Sequence, residues 1–276
     1  MDNSTDAGAQ RTVDRVVREE AAASNCRPPT IAERRGNIGL SRALNHGLSL
    51  GLEGGYELFL LLDQDSVLEP GACSALAEAY SELSPRVVEV ELAARNVEER
   101  PSLVQDLLEQ VFYRSARAGD PAPRECVLAM TSGLLIPARV LRRVGFFDES
   151  FFLDAVDHEF CLRSAKLGIR LFLIPSATVR HALGAPARDA WGPFSFELRN
   201  ADATRLFYST RDGLRLIRRY WTTRPFVCTV LLGFLTARTV VYGLVPSRAP
   251  GAVQAMRRGA LEFLRTRDEP AIPGGA

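Results

Sequence analysis

The sequence has almost no lysine. Lys166 is the only one, and arginine fills every other strongly basic position, a usage read as codon bias and not as chemistry. Charge of one sign is also missing: 34 Lys+Arg stand against 33 Asp+Glu, a net +1, which removes the bulk electrostatic case for a nucleic-acid partner. Cysteines are few and unpaired in pattern. Cys26, Cys73, Cys126, Cys161 and Cys228 are widely spaced and odd in number, with no CxxC and no Cys/His zinc spacing, which favours a reduced, cytoplasmic setting. Residues 1–20 are polar and charged and carry no signal-peptide pattern. A GxxxxGK phosphate loop is absent, which argues against a nucleotide-sugar phosphoryl enzyme. The one long apolar run, residues 226–245, is near the ~20 residues a membrane span needs. Arg238 interrupts it, and a charge near the middle of a span is costly, so a buried or interfacial helix is the preferred reading.

What remains is an ordinary globular composition, 46% hydrophobic and 24% charged, enough for one sizeable core and a small appendage. Leu40, Ala43, Leu44, Gly47 and Leu48 share one face at helical spacing. Residues 56–62 form an apolar run that ends in Asp63, the pattern of a short buried strand. Glu69-Pro70-Gly71 turns the chain into a helix over 72–83. Further strands are expected at 87–92, 126–130, 169–175 and 177–181, with a helix over 157–168 closed by Gly168. Residues 13–35 read as helical up to Arg27-Pro28-Pro29, and 94–125 as a loop or short helix. From Asn200 the pattern is helical to the end of the apolar run. Strands alternating with helices argue for an α/β sheet of mostly parallel strands, with ligands beyond their carboxyl ends.

Three places offer chemistry. Asp63-Gln64-Asp65 sets two carboxylates just past a strand end, where they can share a hard divalent cation or simply form a polar turn. Asp157 and Glu159 open a helix after the acidic, phenylalanine-rich segment 146–156. A carboxylate there can be a helix cap contributing ~1 kcal/mol or a general base. His181 follows a strand, where it is either structural or an additional metal ligand. Between 199 and 248 nine arginines (199, 205, 211, 215, 218, 219, 224, 238, 248) face only Asp202 and Asp212, a solvated face or a surface for anionic membrane and lipid pyrophosphate.

Read in order, DNSTD (2–6), Asn37-Ile38-Gly39 with Ala43-Leu44-Asn45-His46-Gly47, LFLLLDQDS (58–66), TSGLLIP (131–137), GFFDESFFLDAVDHEFCLR (145–163) and His181 resemble the family 2 glycosyltransferases. LLLDQDS and VDHEFCLR resemble the rhamnosyltransferase branch. The resemblance covers roughly residues 1–215 and implies a GT-A fold, a Rossmann-like, mostly parallel sheet followed by C-terminal helices. The implied layout is a catalytic domain over 1–198, basic and apolar helices over 199–269 that associate with a membrane, and a tail over 270–276.

The resemblance also implies roles. Asp2 resembles the contact to the nucleotide base. Asp63 and Asp65, with His181, resemble the ligands of Mg2+ or Mn2+ on the donor diphosphate. Ser132 and Gly133 resemble the loop beside the donor sugar. Asp157 resembles the catalytic base, with Val156 where the family carries Glu, and Glu159 falls toward the acceptor. Residues 208–212 (YSTRD) resemble Tyr-x-x-Arg-Asn, with Asp212 for Asn, so Arg211 is expected to meet a phosphate. The expected reaction is inverting transfer of L-rhamnose from dTDP-L-rhamnose to a glycan or a polyprenyl-pyrophosphate-linked acceptor, at the cytoplasmic face of the plasma membrane. In the family a strand and helix precede a second strand leading into the DNxS loop. Met1 falls where that second strand ends, so the expectation is a chain short of its first strands, weakly active and poorly soluble. The alternative reading is a catalytically weak remnant or accessory subunit.

Overall fold

The computed structural model describes residues 37–87, 89–98, 122–181, 203–244 and 251–266. Asp2 and the rest of DNSTD, the expected helix in 13–35, most of the expected 94–125 loop and the 270–276 tail lie outside the described residues.

The chain enters through helix α1 (Leu40–Glu53), whose Leu40, Leu44 and Leu48 turn onto the main core as their spacing requires. Strand β1 (Leu58–Leu60) and strand β2 (Ser66–Leu68) flank the Asp63–Asp65 turn, and helix α2 (Ala72–Leu83) follows. Strand β3 spans Val90–Glu98, so residues 94–98, expected in a loop, continue the strand. Strand β4 (Arg124–Cys126) and strand β5 (Leu134–Pro137) lead into helix α3 (Ala138–Val144) and helix α4 (Val156–Lys166). Strand β6 (Arg170–His181) ends the sheet, and helices α5 (Ala203–Tyr220), α6 (Pro225–Leu244) and α7 (Ala252–Arg265) complete the chain.

The sheet order is β1-β5-β3-β6-β2, with β4 also on β6. Strands β1, β3 and β6 run in one direction, because β5 is antiparallel to both β1 and β3 while β3 and β6 pair in parallel. The pairing is therefore more mixed than the expected mostly parallel sheet: among described residues only β3–β6 is a parallel pair. Helical crossovers do return the chain for co-directional strands, but β5, β2 and β4 insert beside them as short antiparallel pieces.

The two strands expected at 169–175 and 177–181 are one strand with a bulge. The β3–β6 register steps from Ala94↔Ile174 to Arg95↔Thr178, leaving Pro175, Ser176 and Ala177 out of the ladder. Proline has no N–H to donate, so the break falls where the sequence cannot sustain the ladder.

Two apolar clusters lie on opposite faces of the sheet. One joins Leu48, Ile136, Phe147, Phe151, Phe160, Leu171 and Leu216 under α1, α4 and α5. The other joins Leu76, Val90, Leu92, Phe172 and Val179 under α2. The phenylalanine-rich segment 146–152 is a strap that buries Phe147 and Phe151 and is held by α1. Ser41 Oγ donates to the Phe151 carbonyl (2.5 Å), and Asn45 both donates to the Phe147 carbonyl (2.9 Å) and accepts its N–H (2.8 Å). Gly39 sits at φ +90°, where an added Cβ would meet Phe152 at 2.8 Å, so the Asn-Ile-Gly entry to α1 serves this close contact.

Helix α6 is where the buried-helix reading fails. Of its 20 residues only Val227, Cys228 and Tyr242 are buried, while Phe226 (66%), Val240 (54%) and Leu244 (78%) are exposed.

Candidate active site

The site forms where β1, β3 and β6 end. Past Leu60 the chain makes the Asp63–Asp65 turn and re-enters the sheet as β2, with Ser66 N–H donating to the Asp63 carbonyl at 3.1 Å. Asp63 is half-buried and Asp65 exposed. The turn is pinned by the next motif. Gly133 N–H donates to the Leu61 carbonyl (2.8 Å), and Leu61 N–H donates to the Leu134 carbonyl (2.9 Å). Ser132 Oγ contacts Ser66 Oγ at 2.5 Å and accepts from Asp63 N–H at 3.4 Å.

Gly133 is at φ +91°, and an added Cβ would lie 2.8 Å from the Ala94 Cβ and 3.0 Å from Val179 Cγ2. Both the backbone conformation and the crowding require glycine there. The Ser132 carbonyl accepts from Asn96 Nδ2 at 3.0 Å, which ties the turn to the end of β3.

The same turn reaches Asp157. Thr131 N–H donates to Asp157 Oδ2 at 3.2 Å, and His158 N–H donates to Asp157 Oδ1 at 2.8 Å. Asp157 is half-buried near the start of α4. The helix N-cap is Ala155, left-handed at φ 61° and making no side-chain cap bond. A non-glycine residue in that region is uncommon and strained, and it sits two residues before the candidate base. Asp154 lies beside it, its pKa raised by burial against the opposing pull of Arg205, whose guanidinium is 3.9 Å away. His181 comes to the same end of the sheet: its backbone pairs with Ser66, the residue after Asp65.

Of the expected site residues, the structure thus brings together Asp63, Asp65, Ser132, Gly133, Asp157 and the His181 backbone. Glu159 and Arg211 go elsewhere. Glu159 is fully buried, and its carboxylate is held by Arg163 (3.0 Å), Arg219 (3.3 Å) and the Tyr220 hydroxyl (3.1 Å), so it cannot stand at an acceptor. Arg211 holds buried Asp212 through Nε at 2.7 Å, bonds the Ser150 carbonyl at 3.3 Å and lies over the Tyr208 ring, which occupies the guanidinium expected at a phosphate.

Arg215 and Arg219 also turn inward, onto Asp212 and Asp148. Burial pushes the Asp148 carboxyl up, but the Arg219 bond and charge together with the hydrogen bonds from Ser150 outweigh it, and the net shift is downward. Three of the nine arginines of the basic face, Arg211, Arg215 and Arg219, are therefore an internal clamp of α5 on the phenylalanine strap.

Two residues were missed. Thr131 Oγ1 and Asn96 Oδ1 are buried without a hydrogen-bond partner among the described residues, on either side of Ser132. Buried polar atoms are rarely left unpaired, so both stand out beside this turn. The available signal for Asn96 was an Asn at the carboxyl end of an apolar strand.

A family model for glycosyl transferase family group 2 matches residues 58–255, from β1 to the start of α7. The chain belongs to that family. This glycosyltransferase is 23% identical over 233 residues to a dTDP-rhamnosyl transferase, RfbF, of Shigella flexneri, a match spanning 83% of this chain and 72% of the relative. Among solved structures it is similar to the mannosyltransferase PcManGT of Pyrobaculum calidifontis in complex with GDP-Man and Mn2+, with TM-score 0.51 and 14% identity over 96% of this chain and 76% of that one. It also overlaps GalNAc-T7 with UDP, GalNAc and Mn2+ at TM-score 0.45 and 11% identity, covering 69% of this chain and 36% of that one. The fold is GT-A, a mixed α/β sheet with C-terminal helices.

Proposed function

We propose that this glycosyltransferase transfers L-rhamnose from dTDP-L-rhamnose, with inversion, to a hydroxyl of a glycan or polyprenyl-pyrophosphate-linked acceptor. The observation that carries the proposal is the Thr131–Gly133 turn, which bonds the Asp63–Asp65 turn on one side and Asp157 on the other. A diphosphate anchor and a base then sit on two ends of one rigid segment, the placement that in-line displacement needs. Asp157 takes the proton of the acceptor hydroxyl, the hydroxyl oxygen bonds to the anomeric carbon, and the bond from that carbon to the nucleotide diphosphate breaks on the opposite face.

The residues fit a divalent cation. Asp63 and Asp65 are hard oxygen donors at a partly exposed turn, and Mg2+ or Mn2+ is commonly held by one or two carboxylates plus substrate phosphates. His181, at the backbone position beside Ser66, is the proposed further ligand. When bound, the cation supplies positive charge against the departing diphosphate. The test is to incubate the protein with dTDP-L-rhamnose, dTDP-glucose, UDP-glucose and GDP-mannose, with Mn2+ and with EDTA, and to follow nucleotide release. Faster dTDP release from dTDP-L-rhamnose that EDTA abolishes supports the proposal, and equal release from all donors overturns the donor assignment.

We further propose peripheral attachment at the cytoplasmic membrane face through α6. Its outward residues are apolar apart from Thr229, Thr236 and Thr239, whose hydroxyls each donate to the carbonyl four residues back at 2.8 Å, leaving that face with its side-chain donors satisfied. Arg238 turns inward to Thr210 Oγ1 at 3.2 Å, so its charge does not interrupt the outer face. Flotation with anionic vesicles tests this, and failure to float overturns it.

A further inference from the structure

A second polar feature lies at the opposite end of the sheet from the transferase centre. Glu91 is on β3, five residues before Asn96, which at about 3.3 Å per residue is roughly 16 Å away. The register Glu91↔Leu171 on β3–β6 and Cys126↔Leu171 on β4–β6 sets Glu91, Leu171 and Cys126 in one row across the sheet. Residues opposite one another in a ladder point to the same face, here the face that α4 covers. Glu91 is fully buried. Its Oε1 accepts from Ser164 Oγ of α4 at 2.7 Å, and its Oε2 is buried with no hydrogen-bond partner among the described residues. Burial lifts its pKa to about 7, and in either protonation state the carboxyl retains acceptor capacity.

A cavity of about 230 Å³ opens beside this row, lined by Glu91, Cys126, Cys161, Ile169, Leu171 and Arg224 among others. Glu125 and Arg170 at its wall satisfy each other through two bonds of 3.1 and 2.7 Å. Arg224 does not have that company. It reaches the cavity from the corner between α5 and α6, its backbone N–H donates to the Tyr220 carbonyl, and its guanidinium has no ion pair or hydrogen bond among the described residues. One cavity is therefore lined by Glu91, whose Oε2 is an unused buried acceptor, by Arg224, a cation with no partner among the described residues, and by apolar side chains.

We propose that this cavity is a ligand site distinct from the transferase centre, taking a small molecule with an anionic group at one end and a hydroxyl or ammonium donor at the other. The anion meets Arg224, the donor meets Glu91 Oε2, and a short apolar middle lies against Ile169, Leu171 and the two thiols. The volume is at the small end for ligand pockets, so the ligand is a small metabolite and not a nucleotide.

The experiment uses the full chain and four probes: 4-hydroxybutyrate and 4-aminobutyrate carry both groups, butyrate only the anion and 1-butanol only the donor. Binding is read by ligand-observed NMR and by the melting temperature. At least one two-ended probe is expected to saturate, to raise Tm, and to bind about tenfold or more tighter than either half probe, the change expected for one lost contact of about 1.4 kcal/mol. Arg224→Gln is expected to weaken that probe by about tenfold with unchanged Tm in its absence. Glu91→Met is expected to make 4-hydroxybutyrate and butyrate bind alike. Asp157→Asn is expected to leave probe binding unchanged, which separates this site from the transfer reaction. Absence of saturable binding by every probe overturns the proposal, as does equal binding by Arg224→Gln or a crystal soak with water alone between Glu91 and Arg224. Should Glu91→Met not fold, the Arg224→Gln comparison decides.

Discussion

Thr131 N–H donates to Asp157 Oδ2 at 3.2 Å, joining residues 26 apart in the chain. Both oxygens of Asp157 accept a backbone N–H, one from Thr131 and one from His158, so the carboxylate is oriented from two sides. An asparagine can keep only one of these bonds, because its amide nitrogen donates. Asp157→Asn is therefore expected to cost about 1 kcal/mol of stability and to lower turnover by about 100-fold or more. Melting and single-turnover assays on the same preparation separate the two effects. Near-normal turnover would move the base elsewhere, and Asp154 is then the carboxyl to test, since Glu159 is sealed in its ion pairs.

Asp65→Ala is expected to abolish the metal dependence of donor binding while leaving the fold intact. Asp65 is exposed, and the turn is held by the backbone bonds of Leu61, Ser66 and Gly133. Titration calorimetry of dTDP with and without Mn2+ checks this. A variant that still binds dTDP more tightly with the cation would remove Asp65 from the ligand set.

Glu159→Ala is expected to destabilise the protein by about 3 kcal/mol, because it leaves Arg163, a mostly buried charge, without its carboxylate and Arg219 with Asp148 alone. Denaturant titration measures it. A loss below about 1 kcal/mol would mean that water reaches the cluster.

Glu91 gives stability a pH dependence. Its pKa is raised by burial to about 7 from an ordinary 4.5, so between those values the folded state binds more protons than the unfolded chain. Stability from this group is fully present below about pH 4.5, falls as pH rises toward 7 and levels off above it, a change of roughly 3 kcal/mol in all. Glu91→Gln is expected to flatten that slope. Chemical denaturation at pH 5, 6, 7 and 8 provides the check, and parallel profiles for variant and parent would contradict the assignment.

On α6, Val240→Asp is expected to release the protein from anionic vesicles with a change in stability of less than about 0.5 kcal/mol, because Val240 is 54% exposed. Unchanged flotation would place the membrane contact elsewhere.

The elements were legible where periodicity was strong. Leu40, Leu44 and Leu48 announce α1, and 72–83 needs only its Pro-Gly start. The strand ending near Asp63 and the glycine at 133 were readable because each answers a local requirement, burial in one case and positive φ in the other. Strand directions were not, because β5 and β2 are too short to carry any signal of their partners. The roles of Glu159 and Arg211 were misplaced for a related reason. Helix spacing puts Glu159 near Asp157, but only the docking of α5 shows that it faces Arg219 and Tyr220. The arginines of α5 looked like a surface because their partners, Asp148 and Glu159, lie far back in the chain.

The ladder around β6 also sets the order in which the molecule can be assembled during synthesis. β2, which carries Ser66 beside the Asp63–Asp65 turn, pairs only with β6 among the described strands, and the Glu69–Arg180 ion pair that fastens them joins residues 111 apart. β3 too waits for β6 as its parallel neighbour. A nascent chain that has not yet released its residues up to 181 can form α1 and α2 but not the sheet edge that holds the turn. Such long-range closure is slow, and until it occurs the apolar edges of β2 and β3 stand open. The reactive end of the sheet thus closes only once β6 has emerged, ahead of the three described helices that follow it in the chain.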